Sequence, residues 1–166
     1  NFCSYCIVPY VRGRERSRDF NEIVEEVKAL ISLGYKSITL LGQNVNSYGN
    51  DIQDENVNFN SLLTKLATLS GDFEIKFMTS HPKDVSDELI DVIAKSPRVA
   101  KHFHLPLQSG SDRILKIMNR HYDSTHYLNN VKKLREAVPD IALTTDIIVG
   151  FPGETEDDFK KLKEFV

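Results

Sequence analysis

Both cysteines of the chain lie near its start, at Cys3 and Cys6, with Tyr5 directly before the second. Two cysteines at this spacing are more typical of a metal site or a redox pair than of a structural disulfide in a cytoplasmic protein. Four arginines follow before the first helical pattern, namely Arg12, Arg14, Arg16 and Arg18. Residues 1–18 therefore carry the side chains that could do chemistry.

The spacing of the cysteines leaves several explanations open. They could be a thioredoxin-like redox pair, half of a zinc site or an incidental surface pair. A redox pair is expected at a strand-to-helix corner with its second cysteine inside the helix. Pro9 and the region of Gly13 instead predict about a dozen loop residues between Cys6 and the first helix. Zinc would need two further ligands, and the histidines lie far along the sequence.

Composition sets wide limits on function. The 166 residues are 40% hydrophobic and 27% charged, which is ordinary for one globular domain. A formal net charge of −3 gives no global attraction to nucleic acid, so contact with RNA would need a local patch or another domain. No run of eighteen apolar residues and no signal peptide occurs, which predicts a soluble cytoplasmic protein without a membrane partner.

Helix and strand patterns alternate after the opening segment. The first helix is predicted to begin at Asp19, with Glu22 completing its cap, and to end at Gly34. The predictions for the first half continue with a strand at 37–41, a loop at 42–58, a helix at 59–71, a strand at 73–77 and a helix at 86–95.

The second half repeats this scheme. A strand at 99–107 ends in the loop 108–111, a short helix passes through Leu115 and Met118, and a longer helix runs from Ser124 to Pro139. The apolar stretch 141–149 predicts a strand buried on both faces, and Thr155 begins the last helix. Four strand-helix units at spacings of roughly 30 to 40 residues indicate an α/β fold, either a βα barrel or a doubly wound sheet.

Polar, unperiodic segments follow each predicted strand, at 42–58, 79–82, 108–111 and 150–154. In a parallel βα array such loops gather at the carboxyl ends of the strands. Only a barrel lets all four converge on one point, so we expect an incomplete parallel βα barrel. Both ends are expected to be truncated, because a strand should precede the opening loop and another should follow the last helix.

These features resemble the radical S-adenosylmethionine (radical SAM) superfamily, and within it the methylthiotransferases. Cys3 and Cys6 match the last two cysteines of the signature C-x-x-x-C-x-x-C, whose first would lie two residues before Asn1. The resemblance implies that the thiolates hold a four-iron, four-sulfur (4Fe-4S) cluster with one iron open to S-adenosylmethionine, as a catalytic zinc keeps an open position. It also implies that Tyr5 packs near the adenine.

The resemblance extends to the ends of two predicted strands. Gly42, Gln43 and Asn44 stand in place of a Gly-Gly-Glu segment that holds the methionine amino group, although their residue types depart from it. Gln108 with Ser109, followed by Arg120, resembles a Gln-Ser...Arg arrangement of related radical SAM enzymes. The resemblance implies that Gln108 and Ser109 lie near the ribose. In that arrangement the arginine pairs with the methionine carboxylate, which its planar fork binds in a bidentate manner.

The last predicted strand completes the implied cofactor site. Asp146 matches an acidic residue that binds the ribose hydroxyls. Residues 148–154 resemble the adenine-side segment, with Ile148 and Gly150 as its contacts, where glycine lets the backbone approach a ligand closely.

Structural roles remain open for several of these residues. Ser111 is expected to cap the following helix, and Arg120 could be a solvated cation at a helix C-terminus. Asp146 needs a partner, because a carboxylate in an apolar strand is costly. His102 and His104 share one side of a strand and are expected to be a satisfied interior pair rather than a metal site. The arginine run is either a solvated surface or a local balance to an anionic cluster.

Two loops indicate which type of methylthiotransferase the sequence resembles. Residues 40–48 and 79–82 resemble the type that adds a methylthio group to isopentenylated adenosine beside the tRNA anticodon, rather than the ribosomal-protein type. The resemblance implies that one S-adenosylmethionine donates a methyl group and another gives a 5′-deoxyadenosyl radical. It implies a tRNA substrate, a reductant protein, and flanking cluster-binding and RNA-binding domains outside residues 1–166, so the chain alone is expected to be inactive.

Two hypotheses of other classes stay open beside the radical SAM core. A thiol redox module would form a reversible disulfide between Cys3 and Cys6 without iron. A noncatalytic α/β binding domain would place Gln108, Arg120 and Asp146 in unrelated parts of the molecule.

Overall fold

The computed structural model describes residues 2–78 and 80–166. The sequence of elements is α1 (Val8–Arg12), α2 (Phe20–Ser32), β1 (Ser37–Leu40), α3 (Phe59–Ala67), β2 (Glu74–Phe77), α4 (Asp87–Lys95), β3 (His102–His104), α5 (Asp112–Ile117), α6 (Ser124–Ala137), β4 (Ala142–Thr144) and α7 (Glu156–Phe165). Short 3-10 turns occur at Val45–Ser47 and Pro82–Asp84. Across the described ranges, no helix combines the length and apolarity needed to cross a bilayer.

The four strands form a parallel array in chain order. β1 pairs with β2, with Ile38 opposite Ile75, and β3 pairs with β4, with Phe103 opposite Leu143. A parallel bridge between Ile75 and Val99 joins the two pairs. A doubly wound sheet reverses its strand order at a switch point, whereas a βα barrel keeps the order of the chain. The predicted incomplete parallel βα barrel is therefore confirmed.

The helices cover one face of this array. Along β2 the side chains of Ile75 and Phe77 are buried, whereas the alternate residues Glu74 and Lys76 are exposed. Phe77 lies edge-to-face against Phe59 of α3 at 5.2 Å and against Phe103 of β3 at 5.5 Å, measured between ring centroids. The hydrophobic core thus lies between the strands and the helices, and the other face of the strands is polar.

Two predicted helix starts are confirmed by their caps. The Asp19 carboxylate accepts the backbone N–H groups of Asn21 at 2.8 Å and of Glu22 at 3.0 Å, at the start of α2. At α7 the Thr155 hydroxyl accepts the N–H of Asp158, whose carboxylate accepts the N–H of Thr155 at 3.0 Å. Both arrangements satisfy N–H groups that a helix leaves free at its first turn.

The expectation that Ser111 caps α5 through its side chain is wrong. Ser111 occupies the N-cap position without a side-chain cap, and its hydroxyl donates to Asp158 of α7 at 2.6 Å. Asp158 also accepts a hydrogen bond from Arg113, and this guanidinium and the Ser111 hydroxyl lower the pKa of the Asp158 carboxyl. The Ser111 side chain therefore links α7 to the loop after β3 by a hydrogen bond.

The opening segment contains a helix that the sequence patterns did not predict. α1 begins at Val8, with Pro9 in its first turn, so only Ile7 separates Cys6 from the helix. The predicted dozen loop residues are wrong, because proline is compatible with the start of a helix. Cys6 therefore precedes a helix rather than lying inside one.

The prediction that 141–149 is a strand buried on both faces is also wrong. β4 comprises only Ala142–Thr144, and its two end residues are exposed. Val149, at the other end of the predicted strand, is 59% exposed. Within the described part of the chain β4 pairs with β3 alone, and helices cover only one face of the array. The apolar run is consequently half-exposed.

Gly110 lies where α7 packs directly on the loop after β3. A Cβ atom at this position would lie 2.8 Å from the Cα of Leu162 and 2.9 Å from the Cβ of Phe165. Real Cβ atoms do not approach other atoms so closely, so α7 would have to shift to admit any side chain.

We expect Gly110→Ala to lower the free energy of unfolding by about 1 to 3 kcal/mol, because the added methyl group overpacks the contact with α7. Urea denaturation of the purified protein measures this loss. Gly42→Ala is the matched control, since its Cβ would meet at closest a methyl carbon of Val45 at 3.3 Å. Equal losses in the two variants would contradict the packing argument.

Candidate cofactor-binding cleft

The segment that carries both cysteines is bound to the C-terminal end of α5. The backbone N–H of Ser4 donates to the Met118 carbonyl at 3.0 Å, and its hydroxyl donates to the Ile117 carbonyl at 2.9 Å. The Asn119 side chain donates to the Phe2 carbonyl at 2.7 Å. Carbonyls at a helix C-terminus lack hydrogen-bond donors within the helix. Ser4, more than a hundred residues away in the sequence, donates to two of them.

Asn119 turns the chain after α5 so that Arg120 faces the cysteines. Its φ of 57° is left-handed, a conformation in which asparagine can replace glycine just past a helix end. The Arg120 guanidinium lies 3.3 Å from the Cys3 sulfur through Nη1 and 3.2 Å from the Tyr122 hydroxyl through Nε. Arg120 is therefore not a solvated cation at a helix C-terminus, the alternative role that the sequence had left open.

Tyr122 holds this arginine in place. The guanidinium carbon lies 5.1 Å from the centre of the Tyr122 ring, in cation–π contact. The Tyr122 hydroxyl donates to the Leu107 carbonyl at 2.6 Å, and burial raises the pKa of this hydroxyl to about 12. The tyrosine thus remains a neutral support that joins Arg120 to the end of β3.

A cleft of about 560 Å³ lies between the cysteine segment and the strand ends. The side chains predicted from the sequence that line it are Cys3, Tyr5, Cys6, Gln43, Asn44, Gln108 and Arg120. Ser80 and His81 line it as well, as do Arg12 and Arg14 from the arginine run. We call this cavity the cysteine cleft. Of the three residues that a noncatalytic domain would disperse, Gln108 and Arg120 therefore share this cleft with the cysteines. Asp146, Ile148 and Gly150 do not line it.

Gly42 and Ser109 lie outside the cysteine cleft. Gly42 lines a neighbouring cavity of about 550 Å³, which shares Gln43 and Asn44 with the cleft. Ser109 is fully buried, and its hydroxyl accepts the backbone N–H of Ser111 at 3.2 Å. A role of these two residues in cofactor binding, like that of the residues that line the cleft, stays a prediction.

The backbones of Asp146 and Ile148 are hydrogen-bonded to the backbone of Gln108. The Gln108 N–H donates to the Asp146 carbonyl at 2.9 Å, and the Ile148 N–H donates to the Gln108 carbonyl at 2.9 Å. Gln108 has a φ of 70°, which is rare for a residue with a side chain and is often found at functional sites. The Asp146 side chain is 70% exposed, and its Oδ2 lies 3.4 Å from Nε2 of His104.

The two histidines of β3 are linked through a threonine, as a satisfied pair would be. The Thr144 hydroxyl lies 3.0 Å from Nδ1 of His104 and 3.1 Å from Nε2 of His102. They stand on the polar face of the strands rather than in the hydrophobic core, and both are partly buried. Among residues 2–78 and 80–166 no group of three or more His, Cys, Asp or Glu side chains could hold a metal ion.

Tyr5 and the adenine-side segment approach each other. The ring of Tyr5 lies edge-to-face with Phe151, with centroids 6.3 Å apart, and burial raises the pKa of its hydroxyl to about 12. Gly150, with a φ of 77°, donates its backbone N–H to the carboxylate of Glu154. This bond fixes the turn that brings Phe151 towards Tyr5.

Two buried polar atoms in the walls of the cysteine cleft have no hydrogen-bond partner among residues 2–78 and 80–166. They are Oδ1 of Asn44 and Oγ of Ser80, in residues that are 8% and 3% exposed. The other amide atom of Asn44 donates to the Asp84 carboxylate at 2.6 Å, which fixes the orientation of the amide. Buried polar atoms without a partner are rare in proteins and indicate a place where a ligand or ordered water binds.

Sequence reasoning assigned no cofactor role to Ser80, although it singled out the polar segment 79–82 after a predicted strand. Thr79 of this segment lies outside the described residues. The sequence indicated only that Ser80 lies at the end of a predicted strand. That position gives no information on whether the Ser80 hydroxyl has a hydrogen-bond partner.

In the ligand-free protein we expect Ser80→Ala to raise the free energy of unfolding by about 1 kcal/mol, because it removes a buried hydroxyl without a partner. Chemical denaturation measures the change. Ser47→Ala is the control, since the Ser47 hydroxyl is also buried but donates to the Asn44 carbonyl at 2.8 Å, so its loss should destabilise the protein. A destabilised Ser80 variant would show that this hydroxyl is satisfied.

Comparison with known proteins agrees with this geometry. Residues 1–166 match the family model of the radical SAM superfamily. The chain is 60% identical over its full length to a tRNA-2-methylthio-N(6)-dimethylallyladenosine synthase of Thermoanaerobacter pseudethanolicus and covers 35% of that protein. It is 58% identical over 96% of its length to the synthase of the same name from Clostridium perfringens, again covering 35%. The chain thus spans about a third of the length of these relatives.

The fold also matches solved structures at low sequence identity. A cobalamin-dependent S-adenosylmethionine radical enzyme, OxsB with aqua-cobalamin bound, aligns with 98% of this chain at a TM-score of 0.75, with 11% identity and 24% of that protein covered. The apo form aligns with 90% of the chain at a TM-score of 0.69. With strands in the order of a βα barrel and a family model matched from end to end, the chain belongs to the radical SAM superfamily.

Proposed function

We propose that this chain is the catalytic core of a radical SAM methylthiotransferase that adds a methylthio group to dimethylallyladenosine in tRNA. The observation that carries the proposal is the convergence of Cys3, Cys6, Gln108 and Arg120 on one cleft. Relatives at 58 to 60% identity, named for this reaction, support the choice of substrate. We refer below to the full-length protein, meaning this chain together with the flanking regions that its relatives possess.

The cysteine cleft fits a thiolate-bound 4Fe-4S cluster. Cys3 and Cys6 are free and half-buried, and they open to the same cavity. The Arg120 guanidinium lies 3.3 Å from the Cys3 sulfur, so a cation faces the wall at which the cluster would bind. The chain contains two cysteines, so the third thiolate of the family pattern is proposed to come from the flanking sequence. When bound, the cluster and S-adenosylmethionine supply radical chemistry that activates a carbon–hydrogen bond.

The residues of the chain would bind and orient the cofactor. Arg120 would pair with its carboxylate, because the guanidinium is half-buried and its partners are a thiol, a hydroxyl and a carbonyl rather than a carboxylate. Gln108 would face the ribose, and Asp146, adjacent through the backbone, would accept the ribose hydroxyls. Tyr5, with Phe151 at its edge, would contact the adenine. Gly42, Gln43, Asn44, Ser109, Ile148 and Gly150 complete the proposed cofactor contacts.

The wider setting of the protein belongs to the same proposal. A reductant protein would supply electrons to the cluster, and a cytoplasmic location would match a tRNA substrate. The net charge of −3 gives this chain no general affinity for RNA, so tRNA would bind mainly through flanking regions and through local cations such as Arg12 and Arg14.

The full-length protein, reconstituted anaerobically with iron and sulfide, should bind about four irons and show visible absorbance, and Cys3→Ala or Cys6→Ala should abolish both. Iron analysis and absorption spectroscopy test this. Ile7→Ala is the control, because this neighbouring side chain is 66% exposed and should leave the iron content unchanged. Unchanged spectra in the cysteine variants, with a reversible disulfide in the iron-free protein, would favour the thiol redox alternative instead.

The reconstituted full-length protein should convert dimethylallyladenosine in tRNA to its 2-methylthio derivative, which mass spectrometry of the nucleosides detects. A matched tRNA with unmodified adenosine at the same position should give no product. Modification of ribosomal protein rather than tRNA would refute the proposed substrate while preserving the cofactor assignment.

A further inference from the structure

His81 presents a hydrogen-bond donor to the cysteine cleft. Its Nδ1 accepts the backbone N–H of Lys83 at 3.3 Å at the start of the Pro82–Asp84 turn. A ring nitrogen that accepts from a backbone N–H carries no proton, so the proton of the neutral ring lies on Nε2. Among the described residues the ring is hydrogen-bonded through Nδ1 alone, and His81 as a residue is only 5% exposed.

The surroundings keep this histidine neutral. Burial, and after it the nearby Arg120 guanidinium, lower the pKa of His81 to about 3. The imidazole therefore acts as a fixed donor rather than as a second cation. Its position is set by the reciprocal hydrogen bonds of the Asn46 amide with the His81 backbone, at 3.0 and 3.2 Å.

His81 and Arg120 contact the same tyrosine. The His81 ring lies edge-to-face with Tyr122 at 5.5 Å between centroids, and the Arg120 guanidinium lies 5.1 Å from the centre of that ring. Ser80, directly before His81, has a buried hydroxyl in the same cleft wall, with no partner in the part of the chain that the structure describes. Counting only the residues that the structure describes, one corner of the cleft thus contains a cation without a carboxylate partner and two uncharged donors without acceptors.

We propose that His81, through Nε2–H, and Ser80, through its hydroxyl, bind the carboxylate of S-adenosylmethionine together with Arg120. This inference rests on the proposed function and assigns two further cofactor-binding residues. A carboxylate has enough lone pairs for all of these donors, and charge-assisted bonds of this kind are strong. The unpartnered acceptor Oδ1 of Asn44 in the same cleft suits the neighbouring ammonium group.

The alternative role for His81 is structural, as the cap of the Pro82–Asp84 turn. Two substitutions separate the roles, because an asparagine amide can replace Nδ1 as the cap acceptor, whereas a glutamine amide extends to the position of Nε2. His81→Asn keeps the cap and removes the donor, and His81→Gln restores a donor.

The test measures binding of S-adenosylmethionine and of decarboxylated S-adenosylmethionine to the reconstituted full-length protein by anaerobic titration calorimetry. His81→Asn should weaken S-adenosylmethionine binding by about 10- to 100-fold, the usual effect of a hydrogen bond to a charged group. It should leave the affinity for the decarboxylated analogue unchanged. His81→Gln should retain more affinity than His81→Asn, and Ser80→Ala should also weaken only the ligand with the carboxylate.

Three outcomes would overturn the inference. If His81→Asn and Ser80→Ala bind S-adenosylmethionine as the unsubstituted protein does, the two residues do not contact the carboxylate. If His81→Asn weakens both ligands equally, its role is structural. If the unsubstituted protein binds iron but neither ligand, the proposed function fails and this inference fails with it, which distinguishes that case from the other two.

Discussion

The site depends on the contact between the cysteine segment and the C-terminal end of α5. A helix end leaves carbonyl groups without partners, and Ser4 satisfies two of them while Asn119 holds the carbonyl of Phe2. The same turn projects Arg120 beside Cys3. A helix that follows the third strand thus positions both the cysteines and the cation that faces them, so that residues more than a hundred positions apart form one wall.

The strands are buried on one face only, because helices cover that face and leave the other open. Helices bury residues such as Ile75 and Phe103, and the alternate residues remain polar and accessible. The loops at the carboxyl ends of the strands therefore meet above an open, polar surface. Asp146 and His104 are paired on that surface rather than in a core, which lets a carboxylate stand in an otherwise apolar strand without a large desolvation penalty.

Several groups in the cysteine cleft are costly for the folded chain itself. Within the described ranges, Oδ1 of Asn44 and Oγ of Ser80 are buried without partners and Arg120 has no carboxylate partner. Gln108 adopts a left-handed backbone conformation. None of these features strengthens the hydrophobic core. Their concentration in one cleft is the physical reason for assigning it to ligand binding, because a bound amino-acid group would satisfy the same atoms.

The sequence by itself determined the α/β class, the alternation of elements, the caps at Asp19 and Thr155 and the residues of the cleft that lie at strand ends, because these depend on local periodicity and on the direction of parallel strands. It could not determine that Ser111 bonds to Asp158, that Ile147 and Val149 are exposed, or that the Ser80 hydroxyl has no partner among the described residues. Those properties depend on which distant groups a side chain meets, and only the tertiary structure decides which donors and acceptors remain free for a ligand.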